Sequence, residues 1–379
     1  MGIDSLPIEI LGRITSSLPP SCLYACCLTN KRFYTTSVPL LWRDIMLKSL
    51  LTWEKLCMSL ANVRTPLGHH VRQVHIYCDF NDDDCIRLMK HMPNLEVLEL
   101  VHAGDLTDRS IVPLVQTCLQ LEDIHLHSSS ITYRSLHYFS GLKRLRKLDL
   151  SGCGGLSPFA LLPLQNCPLE LLNLSLCRWL NAKDTALDLK GLSLLKELNL
   201  ICCSTVGKEF MQYLLPSTDN EPVPLPRLHT FSLTGDDAEI DDYVIIPFVK
   251  SHPHLRSLIL MDCAITDRSL IAIRDYLPKL LDIEISYCNH VSSSGVRQLV
   301  LGIPRLEMIG VKNCDIPKKD FPEVWKTDVD QTDSRFVDRL TFREIEQIRA
   351  GNVSDTPAEI HELELALTDT SPRSDFLLI

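Results

Sequence analysis

The chain has 379 residues, 45% hydrophobic and 23% charged, with a formal net charge of −10. An acidic balance without any basic run of the kind that tracks phosphates excludes a general nucleic-acid binder. No stretch approaches the roughly 18 apolar residues of a membrane span, and the opening MGIDSLPIEI lacks the cationic and long apolar regions of a signal peptide and has Leu6 where myristoylation wants Ser or Thr.

Residues 3–46 predict three short helices. Pro7 suits a first helical turn, and Ile10, Leu11, Ile14 and Leu18 form one apolar stripe before Pro19 and Pro20 stop the helix. A second helix fits residues 22–29 and a third residues 31–37, ahead of Val38-Pro39-Leu40-Leu41-Trp42. About forty residues cannot bury Leu6, Ile10, Leu11, Ile14, Leu18, Leu23, Leu28, Phe33, Leu41 and Trp42 alone, so the stripe packs on the rest of the chain or is covered by another protein. The run LPIEILGRITSSL, then Leu23, NKRFY and PLLWRDI, resembles an F-box; Thr29-Asn30 depart from the Val-Cys pair usual before the Lys-Arg centre. The resemblance implies a small all-α domain docking the Skp adaptor of a cullin-RING ubiquitin ligase. Leu6, Pro7, Ile10, Leu11, Ile14, Leu18, Leu23, Leu28, Phe33, Leu41 and Trp42 are its candidate contacts.

Residues 47–70 predict a helical connector, with Thr52 as its cap and Trp53, Leu56, Cys57 and Leu60 on one side. From position 71 one pattern repeats. Its clearest copy is LRKLDLSGCGGLS at 145–157, in which Leu145, Leu148, Leu150 and Cys153 have the spacing of a leucine-rich repeat. The frame recurs from Leu95 to Leu306 in steps of 24 to 27 residues with one step of 33, and a weaker copy starts at Val71, about ten coils in all. Leu148 and Leu150 point to one side of a strand while Lys147, Asp149 and Ser151 point to the other. One strand cannot bury its apolar side alone, so the expectation is an α/β solenoid over residues 71–314, a horseshoe with its parallel sheet inside and helices outside. Thr107, Thr132, Ser157, Thr266 and Ser292 stand where helix caps belong, followed by apolar residues such as Ile111, Leu114 and Val115, or Ile271, Ile273 and Leu277. This cysteine-containing repeat is similar to the one F-box proteins carry as a target-recruiting horseshoe.

Of the fifteen cysteines, Cys153, Cys177, Cys203, Cys263, Cys288 and Cys314 fall at one point of the frame, and Cys118 and Cys167 at a second. Recurrence at one coil position predicts a packed column of thiols. Zinc is the alternative, but no C-x-x-C pair exists; His69, His70, His75 and Cys78 are the other conceivable ligand set. No metal or cofactor is expected. The odd cysteine count and the absence of a signal peptide favour a reducing compartment, cytoplasmic or nuclear.

The 33-residue step carries a proline-rich loop, residues 216–226, read either as a tolerated insertion or as a binding loop. After Cys314 the frame ends. Residues 315–379 hold fifteen Asp or Glu against eight Lys or Arg. Thr341 and Glu344 predict a capping box, and Phe342, Ile345, Ile348 and Gly351 a helix that covers the last coil, giving a cap over 315–351; residues 352–379 read as a solvated acidic tail ending in Phe376-Leu377-Leu378-Ile379.

No phosphate loop, nucleophile elbow, dinucleotide fingerprint or H-E-x-x-H is present, which argues against an enzyme. The expected role is a ligase substrate receptor, with a scaffold outside ubiquitin transfer as the other reading. Strand parity places Glu99, His125, Asp149, Asn173, Asn199, Ser232, Ile259 and Glu284 on the concave face as candidate target contacts. No charge sign dominates that row, and the target protein itself is not legible.

Overall fold

A computed structural model describes residues 6–61, 66–216, 221–235, 240–324 and 335–351. The acidic tail, residues 217–220 of the proline-rich loop and residues 3–5 of the helical segment lie outside the described residues.

Three helices come first, α1 (Ile8–Ser16), α2 (Pro20–Thr29) and α3 (Lys31–Leu41), then strand β1 (Asp44–Leu47) and helix α4 (Leu50–Ala61). Ten strands follow at the frame positions: β2 (Gln73–Ile76), β3 (Val97–Leu100), β4 (Asp123–Leu126), β5 (Lys147–Asp149), β6 (Leu171–Asn173), β7 (Glu197–Leu200), β8 (Thr230–Thr234), β9 (Ser257–Met261), β10 (Asp282–Glu284) and β11 (Met308–Gly310). The crossovers hold α5 (Asp82–Met89), α6 (Asp108–Thr117), α7 (Tyr133–Phe139), α8 (Ala182–Lys190), α9 (Lys208–Leu214), α10 (Asp242–Ser251), α11 (Asp267–Tyr276) and α12 (Ser293–Gly302). Strand β12 (Arg339–Leu340) and helix α13 (Phe342–Ala350) close the described chain.

All twelve strands form one sheet in chain order. Its pairs are parallel except the last, in which β12 runs antiparallel to β11 and covers the sheet's end. Leu148 and Leu150 are fully buried, as are their counterparts along the sheet, so one apolar core runs through the solenoid. Five of the six column thiols reach back one coil: Cys153 Sγ to the Leu126 carbonyl at 3.0 Å, Cys177 to Leu150 at 3.2 Å, Cys203 to Leu174 at 3.0 Å, Cys288 to Leu260 at 3.2 Å and Cys314 to Ile285 at 2.9 Å. Cys263 instead lies 3.3 Å from the Met261 carbonyl of its own coil.

The helices are linked by their caps. Asp82, at the start of α5, accepts from the Thr107 N–H at 2.9 Å and the Thr107 hydroxyl at 2.7 Å, and Thr107 caps α6. Asp108 of α6 does the same for Thr132 and α7. The relay resumes with Asp242 of α10, which takes Thr266 N–H at 2.9 Å, Thr266 Oγ1 at 2.7 Å and Ser269 Oγ at 2.6 Å; Asp267 of α11 takes the Ser292 N–H at 2.8 Å.

Several expectations are corrected. Ser157 caps no helix: Phe159 is left-handed, Pro163 removes an N–H, and the segment makes only a 3₁₀ turn at Leu162–Asn166. Thr52 is not the cap of α4, which starts at Leu50 after Ser49, although Trp53, Cys57 and Leu60 are buried as expected. Helix α3 continues through Pro39 to Leu41. Ile271 and Phe342 face solvent while Leu270 and Ile345 take the buried positions. The capping box of Thr341 and Glu344 and the left-handed stop at Gly351 are present in α13. Strand β1 has no counterpart in the sequence reading. It extends the sheet one strand before the first repeat, with Ile45 opposite Val74 and Leu47 opposite Ile76, so the helical segment is joined to the solenoid through a ladder as well as through α4.

Candidate functional site

Two surfaces carry the predicted residues. On the first, α1 turns Leu11 and Thr15 inward, and Thr15 Oγ1 donates to the Leu11 carbonyl at 3.0 Å. Asn30, the departure from the F-box pattern, caps α3 by accepting from the Arg32 and Phe33 N–H groups, both at 3.0 Å. Arg32 donates to the Leu6 carbonyl and ties α3 to the start of α1. Leu11, Leu23 and Phe33 are therefore core residues of the helical unit rather than open contacts, and Trp42 packs against the solenoid core. Pro7, Ile10 and Leu28 are exposed, Ile10 to 40% and Leu28 to 71%; Leu6, Ile14, Leu18 and Leu41 are half-buried. Sequence reasoning missed Ile8, Tyr24 and Tyr34, which are exposed too. Tyr24 and Leu28 are four apart and share one side of α2, a spacing that was available to find them.

The second surface is the concave face. Glu99, His125, Asp149, Asn173, Asn199, Ser232, Ile259 and Glu284 stand at one register, each opposite the next across adjacent strands. All are half-buried except Ser232, at 4% exposure. His75 and Gly310 extend the row at its two ends. The Glu284 carboxylate lies over Gly310 in the space a side chain there would take.

The row is a network more than a set of free groups. His75 Nδ1 lies 2.6 Å from Glu99 Oε2, with the Tyr77 hydroxyl donating to the same oxygen at 3.4 Å. His125 Nε2 lies 2.8 Å from Asp123 Oδ1 and its Nδ1 3.7 Å from Asp149 Oδ2, and Asn173 Nδ2 donates to Asp149 Oδ2 at 2.9 Å. Burial opposes protonation of His125, but the Asp123 and Asp149 carboxylates on either side of the ring prevail and raise it to about 10, which favours the imidazolium at neutral pH. Burial raises Asp149, and bonds from His125 and Ser151 more than offset it, leaving the carboxylate below its ordinary range. Asp149, Asn173 and Asn199 also accept the backbone N–H two residues on, at 2.8, 3.0 and 3.0 Å. These side chains shape the strand exits as well as the surface.

That exit is a left-handed residue, repeated at Gly152, Leu176, Cys202, Asp262, Tyr287 and Asn313, each just before a column cysteine. Gly152, and more weakly Asp262 and Asn313, signal it in the sequence; at Leu176 and Tyr287 it places exposed apolar groups at the rim. An open groove of about 350 Å³ lies among the same corners of the early coils, lined by Asp79, His102, Asp105 and His127 among others. Among the described residues no group of three His, Cys, Asp or Glu is arranged to hold a metal ion, and no helix is long and apolar enough to cross a membrane.

Residues 3–48 match the F-box-like family model, and residues 251–273 match a leucine-rich-repeat model. No curated protein matches the chain. Similar solved structures include the Rad7–Elc1 complex from yeast, at 15% identity and a TM-score of 0.50 over 83% of this chain and 90% of that one. An internalin (inlF) from Listeria monocytogenes aligns at 17% identity and a TM-score of 0.41, covering 69% of this chain and 72% of the internalin. The TLR13–ssRNA13 complex aligns at 20% identity and 0.44, covering 71% and 36%. At such identities the Rad7 likeness is one of fold.

Proposed function

We propose that this chain, an F-box-like domain joined to a leucine-rich-repeat solenoid, is the target-recruiting subunit of a Skp–cullin–RING ubiquitin ligase and performs no chemistry of its own. The observation that carries the reading is the apolar surface of the helical unit. Pro7, Ile8 and Ile10 at the start of α1, and Tyr24 and Leu28 on α2, stay in solvent although Leu11, Leu23 and Phe33 beside them are buried. Large apolar groups left exposed on a small domain mark a protein contact. The ladder between β1 and β2 would then hold adaptor and target at a fixed separation. Target capture is assigned to the concave row from Glu99 to Glu284, with Asp123, His125, Asp149 and Asn173 acting as one preformed polar unit. The chain would work in the cytoplasm or the nucleus, where such ligases assemble.

Titration against a purified Skp adaptor tests the reading. Anchors of this kind cost about 2 kcal/mol or more when lost, so Ile10→Asp with Leu28→Asp should weaken adaptor binding by more than roughly tenfold while the solenoid stays folded. In vitro ubiquitination assays with the assembled ligase then ask whether the complex is active. Unchanged adaptor affinity in the double variant would remove the proposal.

A further inference from the structure

The edge at which the strands begin carries a second run of side chains, one per coil, whose backbones are bonded in sequence. In the early coils this run mixes both signs, Arg72, Glu96, Glu122, Arg146, Glu170 and Lys196, and its charges pair. Arg72 pairs with Glu96 at 3.2 Å, Arg144 with Glu122 at 3.7 Å, and Glu170 takes both Arg146 at 3.9 Å and Lys196 at 2.7 Å.

Past Lys196 the acids stop. The His229 N–H donates to the Lys196 carbonyl and the Arg256 N–H to the His229 carbonyl, both at 2.7 Å, so these three side chains stand on successive coils. Arg227 and His254 precede them by two residues on their own coils, and Lys279 stands two residues before Leu281, whose N–H donates to the Arg256 carbonyl at 2.7 Å. Lys279 Nζ lies 3.5 Å from His254 Nδ1. Among the described residues, Arg227, Arg256 and Lys279 have no carboxylate within ion-pair distance, and all three are exposed. His229 sits below its ordinary range, first through burial and then through Arg256, Lys196, His254 and Lys279 around it. Like charges gathered without paired counter-charges repel one another. Glu170 borders the cluster on one side, its carboxyl lowered by Lys196 first and then by Arg146 and Arg227, and on the other side Asp282, three residues after Lys279, is held above its ordinary range by burial and then by Glu307.

We propose that this edge, from β7 to β10, docks an acidic segment of a protein partner. Successive coils present their cations about 4.8 Å apart, and alternate residues of an extended peptide are spaced about 6.6–7 Å, so a strand laid obliquely across the edge brings its carboxylates onto successive coils. The guanidinium forks of Arg227 and Arg256 match carboxylates in pairs, with Lys279 as a point charge beside them. The strand-start positions hold no Phe, Tyr or Trp, so a nucleic-acid strand would find phosphate contacts there but only the small imidazole of His229 to stack on. The surface is distinct from both the helical unit and the concave row, and the inference does not rest on the adaptor reading.

The test uses the full chain and a fluorescein-labelled decapeptide of alternating Glu and Ser, followed by polarisation at low and high salt. Saturable binding is expected, weakened by salt and reduced about tenfold or more in Arg256→Glu with Lys279→Glu. The neutral pair Arg256→Gln with Lys279→Gln should fall between, and Arg134→Glu with Lys183→Glu, on exposed helix positions, should bind like the parent. Thermal unfolding of each variant checks that the coils remain intact. Failure of the parent to bind, equal binding by the edge variants, or tighter binding of an oligothymidylate of equal charge would overturn the proposal.

Discussion

Replacing Asp242 by Ala probes the link between α10 and α11. The carboxylate is 7% exposed and accepts three hydrogen bonds, from Thr266 N–H, Thr266 Oγ1 and Ser269 Oγ. Bonds to a charged acceptor contribute roughly 1.5–3 kcal/mol each, and because the three share one acceptor and its desolvation cost they do not add. A net loss of about 3 kcal/mol follows, which for a chain of 379 residues lowers the unfolding midpoint by roughly 4 °C. Asp242→Asn keeps one acceptor oxygen and should lose about half as much. The pH dependence gives a second readout. Burial raises the Asp242 carboxyl, but the bonds from Ser269 and Thr266 prevail and hold it below its ordinary range. A depressed folded value means that the stabilisation is complete above the unfolded value of about 3.9 and is lost as pH falls through the folded one. Parent and Ala variant, compared by calorimetry, should therefore differ fully at pH 7 and 5 and converge below about pH 4. A gap that persists undiminished at pH 3, or one under about 0.5 kcal/mol at pH 7, would refute the reasoning.

Three further outcomes are expected. In the native protein a disulfide reagent at pH 8 should reach the exposed Cys22 and Cys202 first, while Cys153, raised to about 11, and Cys177 and Cys314, raised to about 12, react only on unfolding; column thiols modified as fast as Cys202 would contradict the packing. His125→Gln should cost about 1 kcal/mol below pH 6.5, since a third of the ring is exposed. That cost should vanish as pH rises through the folded value of about 10, and denaturation curves whose separation grows with pH would count against the Asp123–His125–Asp149 network. Trp53→Ala should cost about 3–5 kcal/mol, because the ring is buried edge-on against Phe80 at 5.3 Å and its Nε1 donates to Asp84 at 2.9 Å; a urea midpoint near that of the parent would mean that α4 is not anchored there.

What the sequence made legible is what periodicity encodes. Leu148 and Leu150 are buried because a period of two fixes the side of a strand, and the row from Glu99 to Glu284 falls at one register because every coil repeats that parity. Caps were legible where a hydroxyl fell at the crossover position of the frame, as at Thr107, Thr132, Thr266 and Ser292, and misread at Ser157, where Phe159 and Pro163 prevent the helix that the frame calls for. Strand β1 escaped notice because Asp44-Ile45-Met46-Leu47 lacks the leucine spacing and acquires its role only by pairing with β2. On the helical unit the apolar stripe was visible, but which members face inward was not: Leu11 and Ile10 are adjacent in sequence, and only the placement of α3 decides between them. The basic edge beyond Lys196 was equally hidden, since its cations are spread singly over separate coils and make no run in the chain.

The cap relay gives the solenoid a direction. Asp82 secures the start of α6 and Asp108 that of α7, and Asp242 and Asp267 do the same for α11 and α12, always from the earlier coil to the later. Chains leave the ribosome amino end first and fold as they emerge. A helix born in this array therefore meets an acceptor already standing in place, whereas a chain refolding from its carboxyl end would form each helix before the carboxylate that braces its cap is in position. Between Tyr133, which offers no carboxylate, and Asp242 the relay is broken, and there α8 relies on its own Asn181, whose side chain accepts from Lys183 and Asp184. Synthesis thus passes through a middle stretch without the Asp relay, until Lys208 of α9 holds Asp241, the cap of α10, at 3.0 Å.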